Sequence, residues 1–384
     1  MESINNIEKT YRRLAAEGRA PLKLFQGNPT LHGIHFPQSL LKEAYAEALE
    51  YPRYEPDPKG LRSAREAIAG WYAAENWKTD PENIILTSGT SESFFYLFNI
   101  LSQPGDHFLA PLPTYPLFDH LAQSSRVDLR YYRLEEENNW QINLAQLQSL
   151  VDSRTRGVIL ISPHNPTGAV ANRKLLEPLV AWCNQQKLPI LCDEVFAPFF
   201  FGAEGFPRPA AITKPDLCFT LNGISKLLAL PGMKLGWIAV SGKEDKVKQA
   251  VESLEILADS FLSVHDPIQR ALPKLIADSR DFQKQYQQEI LSRWEGTRGL
   301  LQQFPSLQWV PPQGGFYLTV RVNDPKGRSE EQWILDLMEQ QGVFVHPGYF
   351  FDLEEGIHFV FTYLTETTTL HPALKKIGIF TREK

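Results

Sequence analysis

The chain has 384 residues, 43% of them hydrophobic, and a net charge of −6. That is enough apolar material for a large core and for one big domain beside a smaller one. Basic residues are scattered without a basic run, which argues against a nucleic-acid surface, and no apolar stretch reaches the ~18 residues a bilayer span requires.

The N-terminus, Met-Glu-Ser-Ile-Asn-Asn, lacks the charged-then-apolar pattern of a secretory leader. Cys183, Cys192 and Cys218 have no metal-ligand spacing, and the last two lie in apolar runs. They are expected to be reduced core thiols in a cytoplasmic protein. Residues 4 to 18 carry Ile4, Ile7, Tyr11 and Leu14 at helical spacing and predict an N-terminal helix or arm. Phe25-Gln-Gly27-Asn28-Pro29 is a turn. Helices are predicted over Leu40 to Leu49 and Leu61 to Ala74. Between them, Tyr51-Pro-Arg-Tyr54-Glu-Pro-Asp-Pro-Lys-Gly60 forms an extended loop that its prolines stiffen.

From residue 83 the pattern alternates. Asn83 to Leu86 is a strand, Thr87-Ser-Gly-Thr-Ser-Glu92 a polar turn and Ser93 to Leu101 a helix. A Gly/Ser/Thr turn opening a helix presents free N–H groups and hydroxyls that suit a phosphate, although Ser and Thr there also serve as ordinary caps. Asp106 to Ala110 is a strand ending in Pro111-Leu-Pro-Thr-Tyr115-Pro116, and Val127 to Leu134 is another, leading to a solvated loop at Glu135-Glu-Glu-Asn-Asn139. A helix over Leu144 to Val151 precedes the apolar strand Gly157 to Ser162, which ends in Pro163-His-Asn165-Pro166-Thr-Gly168. Leu175 to Gln186 is a helix, and Leu188 to Cys192 a strand ending in Asp193-Glu194-Val-Phe196. Leu217 to Leu221 is a strand, and Leu235 to Val240 a further one. Apolar strands alternating with helices imply a mainly parallel sheet covered on both faces. Helices dominate over Lys246 to Leu257 and Pro267 to Phe304. A smaller α+β part follows, with strands over Gly314 to Val320, Val343 to His346 and His358 to Leu364 around a helix over Glu330 to Gln340. The expected division is a large domain over 36–270, and a small domain combining 1–35 with 271–384.

The stretch that gives this order a chemistry is Asn222-Gly-Ile-Ser225-Lys226, followed by Leu230-Pro-Gly232-Met-Lys234-Leu-Gly236-Trp237. A lysine on the turn after a buried strand sits in a low-dielectric setting that lowers its pKa and makes its amine a nucleophile. The second cation, Lys234, suits a phosphate, so the pair points to a Schiff-base lysine for pyridoxal phosphate. The turns at Thr87–Ser91, Tyr115, Asn165, Asp193 and Ser225-Lys226 each follow a predicted strand. In an open α/β sheet such turns share one edge, where ligands bind. Taken singly, Asp193 reads as a helix cap, Asn165 as a turn former and Tyr115 as a core aromatic; their joint placement makes the site.

In these motifs and their order, the chain from about residue 20 to 375 resembles the fold-type I pyridoxal-phosphate enzymes, specifically the class I/II aminotransferases. The resemblance implies an aspartate aminotransferase-like fold and residue roles. Lys226 would bind the cofactor and move the substrate proton; Asp193 would pair with the ring nitrogen; Tyr115 would stack on the ring; and Asn165 would bond the ring hydroxyl oxygen and border the substrate. Gly89, Thr90, Ser91, Ser225 and Lys234 would hold the phosphate. Tyr54 would reach the phosphate of a partner subunit in a homodimer, and Gly27 would border the substrate carboxylate. The implied reaction moves an amino group between an amino acid or amine and a 2-oxo acid. The alternatives on the same scaffold are a carbon–sulfur β-lyase and a decarboxylase.

The sequence departs from the family pattern at three positions. Phe196 stands where a tyrosine is usual, and Lys234 where an arginine is usual, which keeps the charge without the planar fork. Val360 stands where an arginine usually grips the substrate α-carboxylate. Arg53, His265, Arg270 and Arg321 are the candidate replacements. A cofactor-binding sensor would carry a DNA-binding module, and no helix-turn-helix precedes residue 25. A Rossmann-type nucleotide binder would carry a Gly-x-Gly-x-x-Gly turn, which the chain lacks.

Overall fold

The computed structural model describes residues 5–382, apart from 117 and 354. The predicted N-terminal helix spans Asn6–Ala16, with Asn5 as its cap; Ile4 lies outside the described residues. In chain order the strands are β1 (Leu22–Lys23), β2 (Ile84–Thr87), β3 (His107–Leu112), β4 (Asp128–Glu135), β5 (Gln141–Ile142), β6 (Thr155–Ile161), β7 (Ile190–Asp193), β8 (Leu217–Gly223), β9 (Gly236–Gly242), β10 (Leu307–Trp309), β11 (Tyr317–Val322), β12 (Val343–Phe344), β13 (His346–Pro347) and β14 (Ile357–Thr362).

Among the described residues, eight strands form the main sheet in the order β2-β9-β8-β7-β6-β3-β4-β5. β4, β3, β6, β7 and β8 run parallel. β9 is antiparallel to both β8 and β2, so β2 shares the common direction, and β5 returns antiparallel on β4. The strands read as continuous apolar runs because helices cover both faces. On one face Phe94, Leu97 and Phe98 of the helix Thr90–Leu101 and Val247, Val251 and Leu254 of the helix Glu244–Phe261 pack on Ile85, Phe108, Ile159, Leu191 and Phe219. On the other, Leu176, Leu179 and Val180 of the helix Arg173–Gln186 pack on Leu109, Val158, Leu160 and Ile190.

A second antiparallel sheet, β10-β11-β14-β13, carries its own core. There Leu318, Val320, Phe359 and Phe361 pack with Trp333, Leu337, Leu370 and Leu374, and with Ile7, Leu14 and Leu24 from the N-terminal segment. β1 joins this part by pairing with β12.

Several expectations are adjusted. The helical run over Pro267 to Phe304 is two helices, Asp266–Asp278 and Arg280–Leu301, broken at the buried Ser279. The strand expected from Gly314 starts at Tyr317, because Gly314, Gly315 and Phe316 form a turn that returns against Phe199 and Phe200. The Glu135–Asn139 loop is not simply solvated: the Glu136 carboxylate lies 3.7 Å from Arg321 and 3.6 Å from His358 of the second sheet. No helix among the described residues is long and apolar enough to cross a membrane. All three cysteines are buried free thiols.

Candidate active site

The C-terminal ends of β2, β3, β6, β7 and β8 lie at one edge of the main sheet. β9 starts at that edge, with Gly236 opposite both Thr87 and Gly223. The turn after β2 runs directly into the helix Thr90–Leu101. Gly89, at φ +150°, closes the turn in a conformation that favours glycine. The Gly89 carbonyl accepts from Ser93 N at 3.1 Å, and no side chain caps the first turn. The helix therefore opens on unpaired amides, an anion-binding arrangement. Gly236 allows β9 to approach: a β-carbon there would lie 2.8 Å from the Gly89 Cα. The Lys234 ammonium stands on this side, 4.0 Å from where a β-carbon on Gly89 would lie.

Lys226 lies on the single turn Ile224–Leu227 after β8. Its Nζ donates to the Gly27 carbonyl at 2.7 Å and lies 5.8 Å and 5.9 Å from the ring centres of Phe196 and Phe316. Burial pushes its pKa down to about 8. At neutral pH a useful fraction is therefore the free amine.

Asp193 ends β7. Burial raises its carboxyl to about 7, opposed by a hydrogen bond from Val195 N at 3.0 Å and aided by the neighbouring Glu194 charge. Asn165 follows β6, and its buried side-chain oxygen has no hydrogen-bond partner among the described residues.

Thr90, Ser91, Tyr115, Asn165, Asp193, Ser225 and Lys226 line one cavity of about 200 Å3. Its remaining walls include Phe94, Phe118, Leu121, Ile161, Val195 and Phe196. A larger cavity of about 350 Å3, at Lys187, Asp216 and Lys246, lies at the opposite, strand-starting end of β7 and β8 and gathers no comparable set.

Gly27 joins the cavity through its bond to Lys226, and Gly89 and Lys234 stand behind Thr90. Tyr54 is not brought in: it is 61% exposed, with its hydroxyl 3.5 Å from Ser263 Oγ. None of the four candidate replacements for a carboxylate-binding arginine lines the cavity. Arg270 is held by Asp266 at 2.6 and 3.1 Å and covers Tyr51; Arg321 stands by Glu136; Arg53 and His265 are exposed.

One lining residue had no sequence signal beyond its place in a strand. Tyr317 opens β11 and faces the cavity, its phenol raised by burial. Its hydroxyl would lie 1.8 Å from a β-carbon on Gly27, so that glycine makes room for the tyrosine.

The buried Asp193 predicts a pH dependence with a definite sign. With the carboxyl raised from 3.8 to about 7, folded protein without cofactor keeps a proton that the unfolded chain has released. Stability present at low pH is therefore lost as pH rises through this window, by up to about 4 kcal/mol. Asp193→Asn should flatten the decline in melting temperature of the cofactor-free protein between about pH 4 and 7. An unchanged slope would remove Asp193 from the account.

Comparison with known proteins places this geometry in context. The family model "Aminotransferase class I and II" matches residues 22–377. The glutamate-pyruvate aminotransferase AlaA of Haemophilus influenzae is 28% identical over 379 residues, covering 97% of this chain and 94% of the relative. An alanine aminotransferase of Mycobacterium tuberculosis is also 28% identical, covering 97% of this chain and 88% of that protein. The solved alanine aminotransferase of Pyrococcus furiosus superposes with a TM-score of 0.90 at 26% identity, covering 99% of this chain and 96% of that one.

Proposed function

The chain belongs to the class I and II aminotransferases, which depend on pyridoxal phosphate, and from that premise we propose which residues hold the cofactor, which move the proton, and that two copies complete each site. The observation that carries the assignment is the single cavity on which Lys226, Asp193, Asn165, Tyr115 and an uncapped helix N-terminus converge. When bound, pyridoxal phosphate supplies an aldehyde for covalent attachment and a ring that withdraws electrons from the substrate carbon beside nitrogen.

The residues present fit that group. Gly89, Thr90, Ser91 and Ser225 offer amides and hydroxyls to a phosphate, and Lys234 offers a charge. Asp193, a carboxyl buried at the sheet edge, would pair with the cofactor's ring nitrogen, which would turn its costly burial into a charge pair. Asn165 would address the ring hydroxyl oxygen, and Tyr115 would cover a ring face. Phe196 supplies no phenol. Lys226 would hold the cofactor. As a neutral amine it would also take up and return the proton at the substrate's reacting carbon.

Tyr54 serves the site of a second copy. Its exposure, the stiff proline-rich loop that presents it and the exposed Phe261 and Leu262 beside Ser263 support a homodimer built over this face. Mixing inactive Lys226→Ala protein with impaired Tyr54→Ala protein should restore activity, because each hybrid dimer regains one intact site. No restoration in hybrids verified by native mass spectrometry rejects the shared site.

Residues 36–270 form the cofactor-bearing part, and 1–35 with 271–384 the smaller part. The helix Asp266–Asp278 straddles the boundary, with Ala271, Leu272 and Leu275 packed on the large part. The buried thiols fit a cytoplasmic location.

The relatives' names point first to alanine as donor and a 2-oxo acid as acceptor. The test is spectroscopic: the absorbance of the loaded protein should shift with an amino donor and return with a carbonyl acceptor. Steady release of ammonia and pyruvate from cysteine conjugates without that return would favour a β-lyase, and release of CO2 a decarboxylase.

A further inference from the structure

The amine on which the site depends is held by a backbone carbonyl that comes from outside the main sheet. Lys226 Nζ donates to Gly27 O at 2.7 Å. Lys226 belongs to the turn after β8, whereas Gly27 lies in the segment after β1. That segment is fastened elsewhere: β1 pairs with β12, and Thr362 N of β14 donates to Leu24 O at 2.7 Å. A neutral amine that gives one N–H to a carbonyl keeps its lone pair free for attack. A long side chain held by such a bond has also lost much of its rotamer freedom before it reacts.

Gly27 cannot set the direction of its own carbonyl. A β-carbon there would lie 1.8 Å from the Tyr317 hydroxyl, so the position takes glycine, which has no side chain to fix its peptide planes. The neighbours fix them instead. On the following side, Asn28 Oδ1 accepts from Thr30 N at 3.2 Å and from Thr30 Oγ1 at 3.0 Å, capping the short turn Pro29–His32. On the preceding side, the Gln26 carbonyl shares a peptide plane with Gly27 N and lies 2.6 Å from His32 Nε2. A carbonyl only accepts, so the imidazole donates, which assigns the Nε2–H tautomer.

His32 is itself firmly placed. It is 6% exposed, and burial pushes its pKa down, opposed by the Gln26 carbonyl; Arg293 acts with burial and Glu366 against it. Both terminal nitrogens of Arg293 donate to His32 O, at 3.2 and 3.1 Å. The same buried guanidinium donates to Leu364 O and, at 2.7 Å, to Glu289. A line of contacts thus runs from Arg293 through His32 and Gln26 to Gly27 and Lys226, although His32 does not line the cavity.

We propose that His32 is a positioning residue for Lys226: its bond to Gln26 O sets the Gly27 peptide, and Gly27 O holds the amine in the pose from which it attacks. Asn28 secures the same peptide from the other side. The inference rests on the reading of Lys226 as the cofactor amine and adds to it a residue outside the cavity.

The test begins with full-length cofactor-free protein pulsed with acetic anhydride over a series of pH values. Peptide mass spectrometry follows acetylation of Lys226 against the exposed Lys248. A carbonyl bond favours the ammonium over the amine, so His32→Leu should lower the Lys226 midpoint by about 0.5 to 1 pH unit. It should also slow the capture of pyridoxal phosphate, followed by absorbance at pH 8, by about 10-fold. An amine that loses its proton more readily yet bonds more slowly is the mark of lost orientation. A packing defect alone would lower the melting temperature and leave the midpoint in place. His32→Gln, which keeps an N–H donor, should return both readings toward the parent. Should His32→Leu fail to fold, Asn28→Ala loosens the same peptide and is read by the same two measurements. An unchanged midpoint, capture as fast as the parent's, or a His32→Gln protein no nearer the parent than His32→Leu overturns the inference. Pyridoxal phosphate that bonds in the parent to no lysine, or to one other than Lys226, overturns the cofactor reading beneath it.

Discussion

Replacing Lys226 by alanine is expected to lower turnover by about 10⁴-fold or more and to abolish the lysine adduct that borohydride otherwise fixes and peptide mass spectrometry detects. Among the described residues, the amine is the cavity-lining nucleophile whose pKa is brought near neutrality, at about 8. Its loss therefore removes both the attachment point and the proton carrier. The fold should tolerate the change. Burial holds the folded-state pKa below the ordinary value of 10.5, so the lysine costs stability progressively as pH falls from 10.5 toward 8. Alanine removes that cost while losing the bond to Gly27 O, and the two effects oppose each other. Lys226→Arg makes the sharper control. It keeps a positive charge within reach of the Gly27 carbonyl, yet a guanidinium is not deprotonated in proteins, so it should be about as inactive as alanine. An adduct that survives in Lys226→Ala, or substantial turnover by Lys226→Arg, would assign the chemistry to another residue.

The edge of the main sheet was legible because each strand that builds it is buried on both faces. Ile159, Leu191 and Phe219 pack on one side and Val158, Leu160 and Ile190 on the other, and such strands appear as unbroken apolar runs followed by polar turns. What the runs do not encode is direction. β9 reads like its neighbours, and its reversal, which delivers Lys234 to the Gly89 turn, follows from the short path between Gly223 and Gly236. Short elements were invisible for a related reason. β1 is two residues long and exists because β12 is beside it, and the helix Phe118–Ser124 occupies a stretch that carried no periodic signal. Tyr317 shows the limit at the site itself. Alternation along β11 sorts its residues into two faces, but which face looks onto Lys226 depends on how the second sheet docks on the first. Phe196 and Val360 could be seen as departures from a family pattern. That Arg270 and Arg321 are engaged elsewhere, by Asp266 and Glu136, required the fold.

Arg208 is a residue that sequence spacing passed over, and its replacement by alanine should be the most destabilising single change near the site. Its guanidinium is 2% exposed, donates to the fully buried Glu194 at 2.6 Å, and lies 5.0 Å and 5.2 Å from the rings of Tyr72 and Trp77. Desolvation drives the Glu194 carboxyl upward, and Arg208 is the charge that opposes it. Without the arginine, a carboxylate is left buried and unpaired, at a cost of about 3–5 kcal/mol. The damage should spread to the catalytic turns. The Glu194 backbone accepts from the Asn222 amide at 3.0 Å and donates to Leu221 O at 2.9 Å, tying the residue after Asp193 to the strand that presents Lys226. Arg208→Ala should therefore lower the melting temperature by about 4–6 °C at pH 8. The deficit should depend on pH. In the variant the folded-state pKa of Glu194 rises further above its unfolded value, so stability is retained at low pH, where the group is protonated in both states, and lost as pH rises. Melting scans should show a smaller deficit against the parent at pH 5 than at pH 8. The double variant Glu194→Gln/Arg208→Met, which removes both charges, should recover much of the loss. Equal deficits at the two pH values, together with a double variant no more stable than Arg208→Ala, would show that lost packing against Tyr72 and Trp77, rather than a stranded charge, makes Arg208 necessary.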